Sequence, residues 1–203
     1  MGNVYTKLPF TGKYKNKLLC PIDGKRIKEA LNYDYEIGGT LYIDKETNSF
    51  KIKDWIEGGV GEINITEGNV FEFHTHPGTC KLGESSCALG PPSIDDLEII
   101  YERQQNSGNC IHIVFSHDGT FSVSCKKSME GVDNSRLLKE LKTLQENFYG
   151  DKNFLYEDFL KKWNSIANSD YSPFVIQFIP VDKECKTCVH ELLYVDLACI
   201  DFD

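Results

Sequence analysis

A His-x-His pair is the feature of this sequence best able to carry chemistry. His74 and His76 lie two residues apart, and Pro77 follows them directly. If this segment is a strand, both side chains point to the same face, about 6.6 Å apart along the chain. Imidazole nitrogens placed in this way can converge on one metal ion at about 2.0–2.1 Å each. The pair alone leaves two interpretations open, a metal site or two histidines that are neighbours by chance.

Ser93 and Asp96 form a second candidate feature, at the start of a predicted helix. A serine at the N-cap with an acidic residue three positions later is a variant of the capping box, which is a structural role. The functional interpretation is that Asp96, in the first helical turn, is a third metal ligand and that the Ser93 hydroxyl lies beside the ion. Taken by itself, the spacing favours the capping interpretation.

Glu36 is the candidate for a catalytic base. Two imidazoles and one carboxylate on zinc would leave the fourth tetrahedral position for water, which is typical of a catalytic site. Such a water needs a group that takes its proton, and a nearby glutamate or aspartate commonly serves. Glu36 lies just before Gly38 and Gly39 on a predicted strand. Its local sequence by itself favours an ordinary exposed strand acid.

Alternating and helical patterns predict the elements that must position these residues. Strands are expected at 35–44, 50–56, 69–75, 110–115, 120–125, 173–181 and 189–200, and helices at 25–32, 93–105, 136–148 and 154–167. The Gly38-Gly39 pair predicts a bulge or a close backbone approach, and Asp118-Gly119 predicts a hairpin turn. This mixture predicts an α/β or α+β class with a mainly antiparallel or mixed sheet.

Composition excludes several classes of protein. The 203 residues include 31 acidic and 22 basic ones, a net charge of −9, which argues against a general nucleic-acid binder and suits a partner with a basic segment. No stretch approaches about 18 uninterrupted apolar residues, so no membrane span is expected.

The length predicts one domain with extensions or two small domains. The first ten residues lack the apolar core of a signal peptide.

Eight cysteines are a high count for this length. Without a secretion signal they predict reduced thiols and an intracellular location, cytoplasmic or also nuclear. A second, structural zinc site is conceivable from Cys185 and Cys188 together with Cys80 and Cys87, but one Cys-x-x-Cys is a weak signal, and free thiols or a disulfide are favoured instead. The remaining strand cysteines, Cys110, Cys125 and Cys199, are predicted to be core thiols.

Three segments together resemble the JAMM, or MPN-plus, metalloprotease family: Glu36-Ile37-Gly38-Gly39, His74-Thr75-His76-Pro77 and Ser93-Ile94-Asp95-Asp96. The family pattern is an upstream glutamate, then His-x-His-Pro, a spacer and Ser-x-x-Asp. The resemblance implies that His74, His76 and Asp96 bind zinc. It further implies that Glu36 is the general base and that Ser93 steadies the tetrahedral oxyanion.

The resemblance also implies a fold and a substrate. The fold is a curved mixed sheet flanked by helices, a cytidine-deaminase-like core at 25–128, preceded by a segment at 1–24 and followed by a C-terminal α/β extension at 129–203 that packs on the same domain. Many members hydrolyse isopeptide bonds of ubiquitin or ubiquitin-like proteins. The chain departs from the pattern in its spacer, because fifteen residues separate Pro77 from Ser93, which leaves substrate access open.

Three functions remain in competition at this point. The main one is a zinc isopeptidase acting on ubiquitin or a ubiquitin-like protein. A second keeps the metal chemistry but changes the substrate to a small carrier-protein tail or a small amide. The third is a non-catalytic interaction scaffold of the wider MPN class, which usually lacks part of the metal set, whereas this chain has every position. Linkage preference and oligomeric state stay open.

Overall fold

The computed structural model describes residues 17–19, 21–44, 46–47, 49–58, 71–77, 89–107, 111–126, 133–180 and 191–192. These residues form four helices, α1 (Pro21–Ala30), α2 (Ile94–Ser107), α3 (Ser135–Gly150) and α4 (Tyr156–Ala167). They also form eight strands, β1 (Lys17–Leu18), β2 (Ile37–Asp44), β3 (Ser49–Glu57), β4 (Phe71–His76), β5 (Ile111–Ser116), β6 (Gly119–Cys125), β7 (Phe174–Pro180) and β8 (Glu191–Leu192). Among the helices described, none is long and apolar enough to cross a membrane.

Six of the strands form one open, mixed sheet in the order β3-β2-β4-β5-β6-β7. Strands β4 and β5 run parallel, and every other neighbouring pair in this sheet is antiparallel. The predicted α+β class with a mixed sheet is therefore confirmed. Strand β7 belongs to the predicted extension at 129–203, so that region supplies an edge strand of the same sheet.

The sheet buries apolar side chains in two clusters, one on each face. Alternate residues of β4 and β5, including Phe73 and Ile113, pack with Ile27 of α1. The other cluster joins β5 and β6 to the remaining helices, with Leu97 of α2 and Phe159 of α4 among its buried members. Burial of a leucine or phenylalanine side chain is worth about 1.5–3 kcal/mol, so both clusters hold helices firmly on the sheet.

Most predicted elements are confirmed to within about two residues, and the start of α1 differs by four. Helix α1 begins at Pro21 rather than at residue 25, because proline fits the first helical position and Asp23 favours the first turn. Helix α4 begins at Tyr156. Leu155, which the predicted helix at 154–167 includes, is instead the N-cap and is 54% exposed.

Gly39 marks the close backbone approach that the sequence predicts. Its φ is +155°, and a Cβ there would lie 1.9 Å from the main-chain oxygen of Asp54 on β3. The register between β2 and β3 shifts between Thr40 and Leu41, as a bulge requires. Only glycine fits at this position, because any side chain would collide with the neighbouring strand. The bulge therefore depends on this residue.

Several predictions fall on residues outside the described ranges. They include the suggested second zinc site at Cys80, Cys87, Cys185 and Cys188, and the core thiols Cys110 and Cys199. Of the predicted core thiols, Cys125 is described, and it is buried. The predicted strand at 189–200 is described only at Glu191–Leu192, which pairs antiparallel with β1. The domain boundaries at 24/25 and 128/129 stay predictions.

Candidate metal centre

The two histidines of the His-x-His pair lie on one face of β4, at the end of a wholly buried strand. His74 is 2% exposed and His76 is 7% exposed. Their Nε2 atoms are 2.9 Å apart. The two imidazoles face each other because residues i and i+2 of a strand project from the same side. The same-face arrangement predicted from the spacing is therefore present.

Asp96 completes a set of three metal-binding side chains. It lies in the first turn of α2, and its Oδ2 is 3.4 Å from His74 Nε2 and 3.2 Å from His76 Nε2. Two atoms that each lie about 2.1 Å from a tetrahedral zinc ion are about 3.4 Å apart. The three donor atoms thus have nearly the separations that zinc requires. His74, His76 and Asp96 could hold one metal ion.

Ser93 and Asp96 also form the capping box that the sequence suggested. The Ser93 N–H donates to Asp96 Oδ2 at 2.7 Å, and the Asp96 N–H donates to Ser93 Oγ at 3.0 Å. The capping and ligand interpretations are therefore compatible, because the same Oδ2 caps the helix and faces the imidazoles. Ser93 is exposed, and its hydroxyl, which accepts one hydrogen bond, keeps a proton to donate.

Glu36 lies just before β2, on the side of the sheet that carries the histidines. Gly38 pairs with His74, so the pleat puts Glu36, two residues earlier, on the same face and next to His76. Burial raises the pKa of Glu36 above its usual value, opposed by the two imidazoles and reinforced by Asp96. The strand register and these interactions together put the half-buried carboxyl group on the side of the metal-binding set.

Two main-chain hydrogen bonds fix the backbone around Glu36. The Ile37 N–H donates to Thr75 Oγ1 at 2.9 Å, and the Glu36 carbonyl accepts from the Gly58 N–H, also at 2.9 Å. Thr75 stands between the two histidines in sequence but points to the opposite face of β4. A single strand therefore positions both imidazoles and, through Thr75, the segment that carries Glu36.

The charges of Asp96 and the histidines stabilise each other's ionised forms. Burial works against ionisation of Asp96, yet the imidazoles of His74 and His76 hold its pKa well below the usual range. Burial likewise disfavours a charged His76, but its hydrogen bond to Asp96 and the charges of Asp96 and Glu36 keep its pKa above the ordinary value of 6.5. Without a metal, the Asp96 carboxylate therefore favours the protonated form of His76.

The outer nitrogens of both imidazoles have defined partners. Nδ1 of His74 lies 2.5 Å from Nε2 of His112 on β5, and Nδ1 of His76 lies 2.9 Å from the carbonyl oxygen of Leu89. Burial lowers the pKa of His112, so this ring is neutral and accepts the proton of His74 Nδ1. When both rings are neutral, as metal binding requires, the lone pair of each lies on Nε2, on the side of Asp96.

His112 is a site residue that the sequence analysis missed. It aligns with Glu72 in the parallel β4–β5 register, and its Nδ1 is 3.7 Å from Glu72 Oε2. Glu72 also pairs with Arg103 of α2, so one ion pair ties α2 to β4 beside the cluster. Nothing in the spacing of His112 along the chain points to His74. Only the pairing of β5 with β4 brings them together.

Replacing Thr75 with valine is expected to destabilise the fold by about 1–3 kcal/mol, because the buried Ile37 N–H would lose its acceptor. Valine has nearly the same shape, so packing is kept. Urea unfolding monitored by circular dichroism measures the change. Thr143→Val, on the exposed face of α3, is the matched control and is expected to stay within about 0.5 kcal/mol of the parent. Equal stability of T75V and the parent would contradict the assigned role.

Comparison with protein-family models gives no match, and comparison with curated proteins gives none either. What can be said about function therefore rests on the residues of the site themselves.

Proposed function

We propose that this chain is a zinc-dependent metalloprotease that hydrolyses isopeptide or peptide bonds at the C-terminus of ubiquitin or a ubiquitin-like protein. The observation that carries the proposal is the convergence of His74, His76 and Asp96 at metal-ligand distances, with the Glu36 carboxyl group facing them. The resemblance of the same segments to the JAMM pattern supports it.

The donor set suits zinc. Two neutral imidazole nitrogens and one carboxylate oxygen are ligands that zinc takes in catalytic sites, where a fourth position stays open. Zinc bound by such a set acts as a Lewis acid, which polarises a carbonyl group and makes water nucleophilic near neutral pH. His74 and His76 would bind through Nε2, and Asp96 through Oδ2. The hydrogen bonds at Nδ1 of each histidine hold the rings ready for that binding.

Glu36 would transfer a proton from the attacking water to the departing amine. As a carboxylate it accepts a proton from the attacking water, and as a carboxylic acid it passes that proton to the departing amine, which in an isopeptide is a lysine ε-amino group. The raised pKa of Glu36 suits the first half of this task, because it makes the carboxylate a stronger base toward the water proton. The second half remains favourable, because an alkyl amine is far more basic than a carboxylate.

Ser93 would stabilise the developing charge on the substrate. Its hydroxyl lies at the start of α2, where the cap holds its oxygen in place and leaves its proton to donate. The positive end of the helix dipole favours a negative oxygen at the same place. A single donor to such an oxyanion is worth about 2.7–4 kcal/mol in comparable sites.

The substrate class rests on charge and on the family resemblance. A net charge of −9 suits an extended basic segment such as the ubiquitin tail, because complementary charge speeds and orients association. The proposed substrates are intracellular, in keeping with the reduced thiols expected of this cysteine-rich chain. A small carrier-protein tail or a small amide would use the same residues around the metal.

A panel of ubiquitin dimers and ubiquitin-like fusions, with and without a zinc chelator, tests the proposal. We expect cleavage of at least one member, loss of cleavage on chelation and recovery when zinc is restored. Carrier-protein fusions and simple amides in the same panel test the second enzyme function. If the zinc-loaded protein binds a ubiquitin-like partner but cleaves nothing, the scaffold function replaces the proposal.

Zinc affinity is expected to rise with pH above 6.5, because His76 holds its proton above that ordinary pKa and must release it to bind metal. A group that must lose one proton changes the affinity by up to about tenfold per pH unit below its pKa. Competition with a chromophoric chelator, at intervals from about pH 6 to about pH 9, measures the slope. An affinity that is already constant at pH 6.5 would contradict the assigned protonation.

A further inference from the structure

An unbroken series of hydrogen bonds leads from His76 to the C-terminal half of the chain. His76 Nδ1 donates to the Leu89 carbonyl oxygen at 2.9 Å, and the Gly90 N–H donates to the Tyr156 hydroxyl oxygen at 3.0 Å. The Tyr156 hydroxyl in turn donates to Asp118 Oδ2. The Leu89 carbonyl and the Gly90 N–H belong to one peptide group, so the series passes through that peptide without a gap.

Every member of this series is held by its own surroundings. Burial, reinforced by the charge of Asp118, raises the pKa of Tyr156, so the phenol stays protonated and donates. The ring stacks on Phe159 within the aromatic cluster between α3 and α4. The Ser116 hydroxyl accepts from the Asp118 N–H at 3.2 Å and so fixes the turn that presents this carboxylate.

Gly90 allows the close approach that the series needs. A Cβ at this position would lie 2.2 Å from Asp118 Oδ2 and 2.9 Å from Ser116 Oγ. Any larger residue would push the peptide away from Tyr156 or displace the carboxylate. The side chain of Leu89 packs against the apolar cluster that contains α3 and α4. Two contacts therefore hold residues 89–90 against the C-terminal helices: the hydrogen bond from Gly90 to Tyr156 and the packing of the Leu89 side chain.

We propose that Tyr156 is a positioning residue for the metal centre, acting through the 89–90 peptide on His76. Its effect has two parts, orientation and basicity. For orientation, the Tyr156 hydroxyl fixes the 89–90 peptide, whose carbonyl group accepts the hydrogen bond from His76. For basicity, the negative charge of Asp118 polarises each hydrogen bond of the series, because consecutive buried hydrogen bonds strengthen one another. Nε2 of His76 becomes a better metal ligand as a result.

This inference rests on the proposed metal site and gives the C-terminal region a role in it. Helix α4 lies outside the segments that resemble the JAMM pattern, yet it supplies the hydroxyl group that completes the hydrogen bonding around His76. The region at 129–203 would then contribute to metal binding, through Tyr156, as well as to the core.

The test compares Tyr156→Phe with Tyr171→Phe. Tyr171 also donates its hydroxyl proton to a carboxylate, that of Glu140, on the surface of α3. We expect Y156F to bind zinc about tenfold more weakly than the parent, which is the smaller end of the loss seen when a group supporting a metal ligand is removed. We expect Y171F to bind zinc as the parent does. Nitrogen NMR of His76, with and without zinc, supplies a second readout, and we expect its Nδ1 resonance to shift in Y156F alone.

Each outcome decides the question. Unchanged zinc affinity and unchanged His76 resonances in Y156F overturn the proposal, as does an equal loss in Y171F. If Y156F does not fold, Asp118→Asn keeps an acceptor oxygen but removes the charge, and a parent-like affinity and spectrum in D118N then overturn it. Should the parent bind zinc but cleave nothing, the proposed activity fails and this inference stands. If the parent binds no zinc, the His76 resonances of the metal-free variants still decide it.

Discussion

Glu36→Gln is expected to lower kcat by about 10²–10⁴-fold while zinc stays bound, because glutamine has the same shape but cannot take up a proton. Glu36 is not among the three residues at metal-ligand distances, so zinc binding should not depend on it. Its main chain is fixed by Thr75 and Gly58, so the substitution is not expected to move the strand. Single-turnover kinetics on a cleavable fusion, together with zinc content, measure both effects.

Glu98→Gln is the matched control for this substitution. Glu98 is an exposed acid of α2, two residues from Asp96, and the same change of charge there should leave turnover unaltered. Full activity in E36Q would remove Glu36 from the mechanism. Loss of zinc from E36Q would instead make Glu36 part of the metal-binding set.

Loss of a residue that hydrogen-bonds to a metal ligand typically lowers metal affinity about 10–100-fold. Asp96→Ala is expected to lower zinc affinity by more than this, because it removes a direct ligand. The hydrogen bond from the Ser93 N–H to the carboxylate is lost as well, so the metal-free protein should be less stable by about 0.5–1.5 kcal/mol. Chelator competition measures the affinity, and urea unfolding in excess chelator measures the stability.

Two further variants separate the roles of this carboxylate. Asp96→Asn keeps an oxygen that accepts the Ser93 N–H, so it should retain more stability than D96A while binding zinc poorly. Asp95→Ala removes the neighbouring exposed acid of the same helical turn and should keep zinc. Zinc binding by D96A at the parent affinity would show that Asp96 is not a ligand.

The site is predictable from sequence where its geometry is local. His74 and His76 share a face because a strand alternates, and Ser93 and Asp96 meet because three residues span one helical turn. Asp96 approaches the histidines only because α2 packs beside the end of β4, and no local pattern contains that contact. A motif pattern supplies the grouping, but not its physical cause.

The partners of the imidazoles are beyond prediction for the same reason. His112 meets His74 through the pairing of β5 with β4, and Tyr156 meets Gly90 across 66 positions of sequence. In the sequence, His112 resembles any polar residue of an alternating strand and Tyr156 resembles a core aromatic. Leu155 shows a related limit: it lies inside the predicted helix at 154–167 but is the N-cap of α4, because helical periodicity does not distinguish a cap from the first helical turn.

Strands β4 and β5 are parallel, so the chain between them must return along the sheet, and α2 lies in that connection. The length of α2 matters for labelling experiments. Helix α2 begins beside His76 and runs to Ser107, just before the start of β5. Ser107 lies eleven residues after Asp96, which at about 1.5 Å per residue is roughly 16 Å along the helix axis. A fluorescent label attached at that end of the helix would therefore lie well away from the three donor atoms.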